Sequence, residues 1–200
     1  VSTRDIPNLL GLGRIILTPL LVWCLLRGDA AGTQGAIVLM AFMAISDIID
    51  GPLARRMGVV SPLGVFVDTI SDKIFVAAAM LPMIERELLP AWLVFAIFTR
   101  EFAVTGLRSY AAAAGVVIAA RAWGKQKLTV TVTALIWRLV DVLAAPHADA
   151  GGAAGALAVL ASAWPVVLAL ALLWTVASGL EYFWLARGLL LQPGRAKETV

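Results

Sequence analysis

Six stretches of mostly apolar residues take up nearly the whole chain, and each is long enough to cross a lipid bilayer. They run roughly from Leu9 to Leu26, Gly32 to Ala54, Pro62 to Ile84, Ala91 to Val116, Trp123 to Ala145 and Ala154 to Ala186. A span needs about 20 such residues. Turn formers gather in the short connections between them, at Arg27–Ala31, Gly58–Ser61, Glu85–Pro90, Val117–Ala122 and Pro146–Gly152. Of the 200 residues, 61% are hydrophobic and 14% charged, against about a quarter charged in an ordinary globular domain. A single water-soluble core of this size could not hide so much apolar side chain. A cytosolic enzyme, a disordered tail and a secreted disulfide scaffold are thereby excluded. Cys24 is the one cysteine and has no internal partner. The pattern predicts an all-α polytopic membrane protein, one domain over residues 1–200 with six transmembrane helices. Arg14 interrupts the first stretch and five more follow, which argues against a cleaved signal peptide.

The basic residues orient the spans. Arg4, Arg55, Arg56, Arg121, Lys125, Lys127, Arg187, Arg195 and Lys197 fall at one set of ends, and only Arg27 and Arg86 at the other. The positive-inside rule then puts both termini in the cytoplasm. Tryptophans agree, with Trp92 and Trp164 near outer ends and Trp123 and Trp184 near inner ends. No basic stripe points to nucleic acid, and the small surplus of positive charge is accounted for by topology.

Charges inside the spans carry the functional signal, because ionisable groups at membrane depth are costly and mark sites or wet cavities. Arg14, Lys73, Arg100, Arg108 and Arg138 lie there, with Asp47, Asp50, Asp68, Asp72, Glu101, Asp141 and Glu181. Most of the acids fall in the cytoplasmic halves, which predicts an inward-facing polar cavity. Asp47 and Asp50 are three residues apart and Asp68 and Asp72 four apart, so each pair shares a helix face. Folded as a hairpin about Val59, the second and third spans bring Asp50 level with Asp68, and Asp47 level with Asp72. The two levels lie roughly 13 Å and 18–20 Å from the turn. Four carboxylates in a low-dielectric site need compensation, and all-oxygen ligation suits Mg2+ or Mn2+. Two such cations about 3.5–4 Å apart would form a clamp for phosphoryl chemistry.

The residues between the pairs fit that chemistry. Gly51 lets a ligand approach the backbone, Ala54 keeps the same face small, and Gly64 thins the opposing helix. Arg55 offers a fork matched to phosphate oxygens. Polar glue between helices is the blander reading, but glue needs one or two polar groups and not four acids at matched depths.

Asp47-Ile-Ile-Asp50-Gly51-Pro-Leu-Ala54-Arg55, eight residues, Gly64, three residues, Asp68, three residues and Asp72 resembles the signature of the CDP-alcohol phosphotransferases, eight spaced positions in all. The resemblance implies a six-helix membrane enzyme, usually a homodimer, that moves a phosphatidyl-type group from a CDP-linked lipid to an alcohol. It implies that Asp47, Asp50, Asp68 and Asp72 hold two divalent cations and that Asp72 is also the general base. Gly51, Ala54, Arg55, Ser61 and Gly64 match positions near the CDP moiety.

Other segments are similar to the bacterial phosphatidylglycerophosphate synthases of that family. They are Ile6-Pro7-Asn8-Leu9-Leu10 with Arg14, Arg100-Glu101 with Thr105-Gly106-Leu107-Arg108, Trp123-Gly124-Lys125-Gln126-Lys127, and Ser178-Gly179-Leu180-Glu181-Tyr182. This likeness implies CDP-diacylglycerol as donor, sn-glycerol 3-phosphate as acceptor and a place among the lipids of a bacterial inner membrane. Phe66–Lys73 lacks the proline those synthases commonly carry after the third aspartate. Arg108, Lys125 and Lys127 are placed to bind the acceptor phosphate, with topology and lipid headgroups as their plainer roles. Arg138 and Asp141 read as an internal ion pair, Arg100 and Glu101 as helix-ordering charges with a supporting role behind the site left open, His147 as a solvated loop residue and Cys24 as apolar filler. For Arg14, contact with a phosphate and snorkelling both stay open. The rival functions are the same chemistry on another acceptor (a cardiolipin or phosphatidylinositol phosphate synthase), a divalent-cation transporter, and a non-catalytic lipid-binding scaffold.

Overall fold

A computed structural model describes residues 6–56, 62–116 and 122–191. Within these, the side chains of 6–10, 50–56, 62, 63, 65, 122–125 and 189–191 lie outside the description. The described residues form helices and no strand: α1 (Ile6–Arg27), α2 (Ala30–Arg56), α3 (Pro62–Glu85), α4 (Ala91–Ala113), α5 (Ala122–Ala144), α6 (Gly152–Ala161) and α7 (Trp164–Leu191). A 3-10 turn, Ala145–His147, follows α5. Apolar sequence and an all-helical backbone go together because a helix satisfies its own N–H and C=O groups where no water can.

Three stretches of the described residues are long and apolar enough to cross a membrane: Ala30–Ile49, Gln126–His147 and Gly152–Gly188. The chain is thus an all-helical membrane protein. Its large exposed side chains fit lipid as solvent, with Phe95 72% and Ile16 67% accessible. One expectation is corrected: the sixth stretch, Ala154–Ala186, is two helices. Pro165 stands at the second position of α7. It has no N–H to donate to the Ala161 carbonyl, and its ring crowds that oxygen. The chain turns there instead, with Ser162 N–H donating to Ala158 O at 3.0 Å and Ala163 N–H to Leu160 O at 3.2 Å.

The chain divides into two compact units. The first contains Val1–Pro90 and Val132–Val167. In it α1 packs on both α2 and α3, around fully buried Leu21, Leu25, Met40, Met43, Phe75, Met80 and Met83. Close approach of α1 and α2 depends on small residues, as packing in lipid does. A Cβ on Gly32 would lie 2.5 Å from the Cys24 carbonyl, and one on Gly35 3.2 Å from its sulfur. The α1–α2 turn is tight, with Gly28 at φ +74 and Asp29 accepting from Gly32 N–H at 2.7 Å to cap α2. Arg86, just past α3, donates to the Leu25 and Gly28 carbonyls at 3.0 and 3.3 Å and so covers the open end of α1. Arg138 pairs with Asp141, as the sequence suggested, and also donates to Leu88 O at 3.1 Å. Its guanidinium lies 4.2 Å from the centre of the Trp164 ring.

The second unit contains Ala91–Thr131 and Leu168–Val200. Val104 and Leu107 of α4 pack with Tyr182 and Ala186 of α7. Arg100 crosses beneath them to α7. It donates to Thr175 O at 3.1 Å, to Ser178 Oγ at 2.9 Å and to Glu101 at 3.0 Å. Gly179 makes this possible, since a Cβ there would sit 2.8 Å from Arg100 Cγ.

Candidate active site

In the first unit, α2 contributes Asp47 and α3 contributes Asp68 and Asp72. One carboxylate oxygen from each lies within 4.8 Å of the others. The helix spacing explains the convergence. Asp68 and Asp72 are one turn apart on α3 and point the same way, and Asp47 meets Asp72 at the level that counting from the interhelical turn predicts. The backbone of α2 continues helically through Asp50, Gly51, Ala54 and Arg55. The side chains of Asp50, Ala54 and Arg55 lie outside the described residues, as does Ser61 altogether. Gly64 is half-buried on α3, one turn before Asp68.

A fourth described group joins these three, and it comes from α1. Arg14 Nη1 donates to Asp47 Oδ1 and, at 2.8 Å, to Asp72 Oδ1, while Nη2 donates to Asp68 Oδ1 at 3.0 Å. The Arg14 side chain is 2% exposed, those of Asp47 and Asp72 are 22% and 35% exposed, and that of Asp68 is 56% exposed. The site is therefore closed at the arginine and open at Asp68. Sequence reasoning left Arg14 unassigned; the available signal was a cation inside an apolar stretch, which must find acids to pair with.

Among the described side chains, three carboxylates face one guanidinium. The donor set fits the implied metals: all oxygen, all anionic and converging from two helices, as hard divalent cations require.

Of the three cations expected at the acceptor phosphate, Arg108 is exposed on α4 in the second unit. Lys127, on α5 of the same unit, pairs with Glu101, which also takes Arg100. The Lys125 side chain lies outside the described residues. His147 is exposed and Cys24 is buried, both as expected.

Residues 4–177 match the family model for CDP-alcohol phosphatidyltransferase. The chain belongs to that family. This makes it an enzyme of the CDP-alcohol phosphatidyltransferase type, and the aspartate cluster is the part of its signature that the fold draws together. The chain is 34% identical, over 90% of its length and 93% of the relative's, to a CDP-diacylglycerol–glycerol-3-phosphate 3-phosphatidyltransferase of Bacillus subtilis. It is 32% identical to a probable phosphatidylglycerophosphate synthase of Mycobacterium tuberculosis, over 89% of this chain and 79% of that one. A CMP-forming cardiolipin synthase of Streptomyces coelicolor is 35% identical over 48% of this chain and 46% of its own.

Proposed function

We propose that this phosphatidyltransferase moves the phosphatidyl group of CDP-diacylglycerol to sn-glycerol 3-phosphate, giving phosphatidylglycerophosphate and CMP. The observation that carries the reading is the convergence of Asp47, Asp68 and Asp72 on one side of α1. The names of the two relatives matched over most of their length support the acceptor. Two divalent cations, Mg2+ or Mn2+, would be held by Asp47, Asp50, Asp68 and Asp72. When bound, they supply positive charge to the phosphoryl group being transferred.

The protein's own part is positioning and proton transfer. Arg55 and the small face of Gly51, Ala54, Ser61 and Gly64 hold the nucleotide end of the donor. Asp72 accepts the proton of the acceptor's 1-hydroxyl. That oxygen then bonds to the lipid-bearing phosphorus as the bond from phosphorus to the CMP oxygen breaks. Arg108, Lys125 and Lys127 bind the acceptor's phosphate, with Lys127 exchanging Glu101 for it. Positioning and charge complementarity account for most of the rate.

In this reading all six apolar stretches span the bilayer, and α6 and α7 together form the last crossing. The cavity opens inward, both termini are cytoplasmic and the membrane is a bacterial cytoplasmic membrane. One membrane domain contains both units, since the family match runs through both, and the enzyme works as a homodimer. The alternative reading is cardiolipin synthesis by the same chemistry, and a cardiolipin synthase match over about half of the chain supports it. An acceptor panel with CDP-diacylglycerol and Mg2+ or Mn2+, following CMP release, separates the readings. Release with sn-glycerol 3-phosphate alone is expected. Release only with phosphatidylglycerol or inositol phosphate moves the acceptor.

A further inference from the structure

Arg14 occupies the place of a cation. Its buried guanidinium engages an Oδ1 oxygen of Asp47, Asp68 and Asp72 at once, and these are the three side chains whose oxygens converge for a metal. Guanidinium and divalent cation therefore draw on one set of carboxylates. We propose that Arg14 is the resident counter-ion of this cluster: it holds the three aspartates together while no metal is bound, and it yields carboxylate oxygens when a divalent cation enters. The proposal rests on the reading of these aspartates as metal ligands.

Three facts lead there. Carboxylates this close repel one another strongly at low dielectric, so a metal-free cluster needs a partner that cannot lose its proton, and arginine is that side chain. The backbone beneath Arg14 is fixed. Thr18 Oγ donates to Arg14 O at 2.9 Å, and Gly11, three residues earlier, is so close to α3 that a Cβ on it would meet Val67 Cγ1 at 3.1 Å. Exchange then asks only for a side-chain movement. Finally, the carboxylates open progressively toward Asp68, the most accessible, so a cation can enter without passing the arginine.

A permanent structural pair and an exchangeable one differ in how they couple to metal. The test uses the purified full chain in detergent, with Mn2+ binding followed by the paramagnetic signal of free Mn2+ and melting temperature measured in chelator and in saturating Mn2+. Removing the competing charge with Arg14→Met or Arg14→Gln is expected to tighten Mn2+ binding at least about tenfold. The same variants should lose melting temperature in chelator and regain most of it in Mn2+. Arg14→Lys, which keeps the charge, should stay within about threefold of the parent affinity. Unchanged or weaker Mn2+ binding in both neutral variants, equal thermal losses with and without Mn2+, or tightening by Arg14→Lys as large as that by Arg14→Met would each overturn the exchange. If Asp68→Asn leaves Mn2+ binding by the parent unaltered, the metal-ligand reading itself fails and takes the exchange with it.

Discussion

Two of the buried charge clusters among the described residues differ in what their arginines touch. In the first unit three aspartates face one arginine, and the acids become more accessible from Asp47 to Asp68. In the second unit two cations, Arg100 and Lys127, face one acid, Glu101. Arg100 further spends its donors on a backbone carbonyl and a serine hydroxyl of α7. An arginine whose hydrogen bonds go to carbonyls of its own fold ties helices together. An arginine whose guanidinium is given to several acids leaves those acids able to take another cation. Burial and charge alone do not separate a structural cluster from a chemical one; the kind of acceptor does.

That contrast can be pressed hardest at Asp72. Asp72→Asn should lower turnover by at least about 10²–10⁴-fold, the usual contribution of a general base, while CDP binding measured by calorimetry persists; retained turnover would remove the base from the first cluster. Next in size is Arg100→Met, which strands the Thr175 carbonyl and Ser178 hydroxyl on α7 and leaves Glu101 to Lys127. A loss of roughly 3 kcal/mol is expected, read by denaturant or thermal unfolding in detergent. It should be the same with and without Mn2+, and a loss that Mn2+ repairs would erase the distinction between the clusters. Lys127→Met is a sharper probe of the second cluster. It should raise the KM for glycerol 3-phosphate about tenfold with little change in kcat. A stability loss with unchanged KM would make Lys127 purely a partner of Glu101.

The smallest effect belongs to neither cluster and sets the baseline. Hydrogen bonding from Arg27, reinforced by the N–H of Gly32, holds the exposed Asp29 carboxyl below its ordinary value of 3.8. A carboxyl lowered in the folded state stabilises above its unfolded value and loses that contribution as pH falls through the folded one. The melting difference between the parent and Asp29→Ala should therefore be constant near neutrality and shrink only below about pH 4.

Much of this was legible in the residues. Asp47 and Asp72 meet because helix rise is constant, so equal counts from a turn mean equal depth. The Arg138–Asp141 pair follows from a separation of three on one helix. Arg14 was not legible by the same counting. It precedes Gly28 by 14 residues and Asp47 follows it by 19, a depth mismatch of about 7 Å. The side chain closes that gap because helical side chains lean toward the N-terminus, here toward Asp47, and arginine is long. The meeting of Arg100 with Ser178 joins residues 78 apart, and no local period encodes it. Pro165 did announce the break in the last stretch, but continuous apolarity hid it. The Asp50–Asp68 level and the nucleotide face of Ala54, Arg55 and Ser61 lie outside the described side chains.

The crowding of Gly32 and Gly35 against Cys24 has a chemical consequence. The thiol of this cysteine, 7% exposed, is sealed between α1 and α2, where a water-borne electrophile cannot reach it. The chain is otherwise free of cysteine, so its native surface is silent toward maleimides and disulfide reagents. A thiol introduced at either end or in the Arg27–Ala31 turn would be the sole reactive one. Its modification by a membrane-impermeant reagent would report directly which side of the bilayer that segment faces.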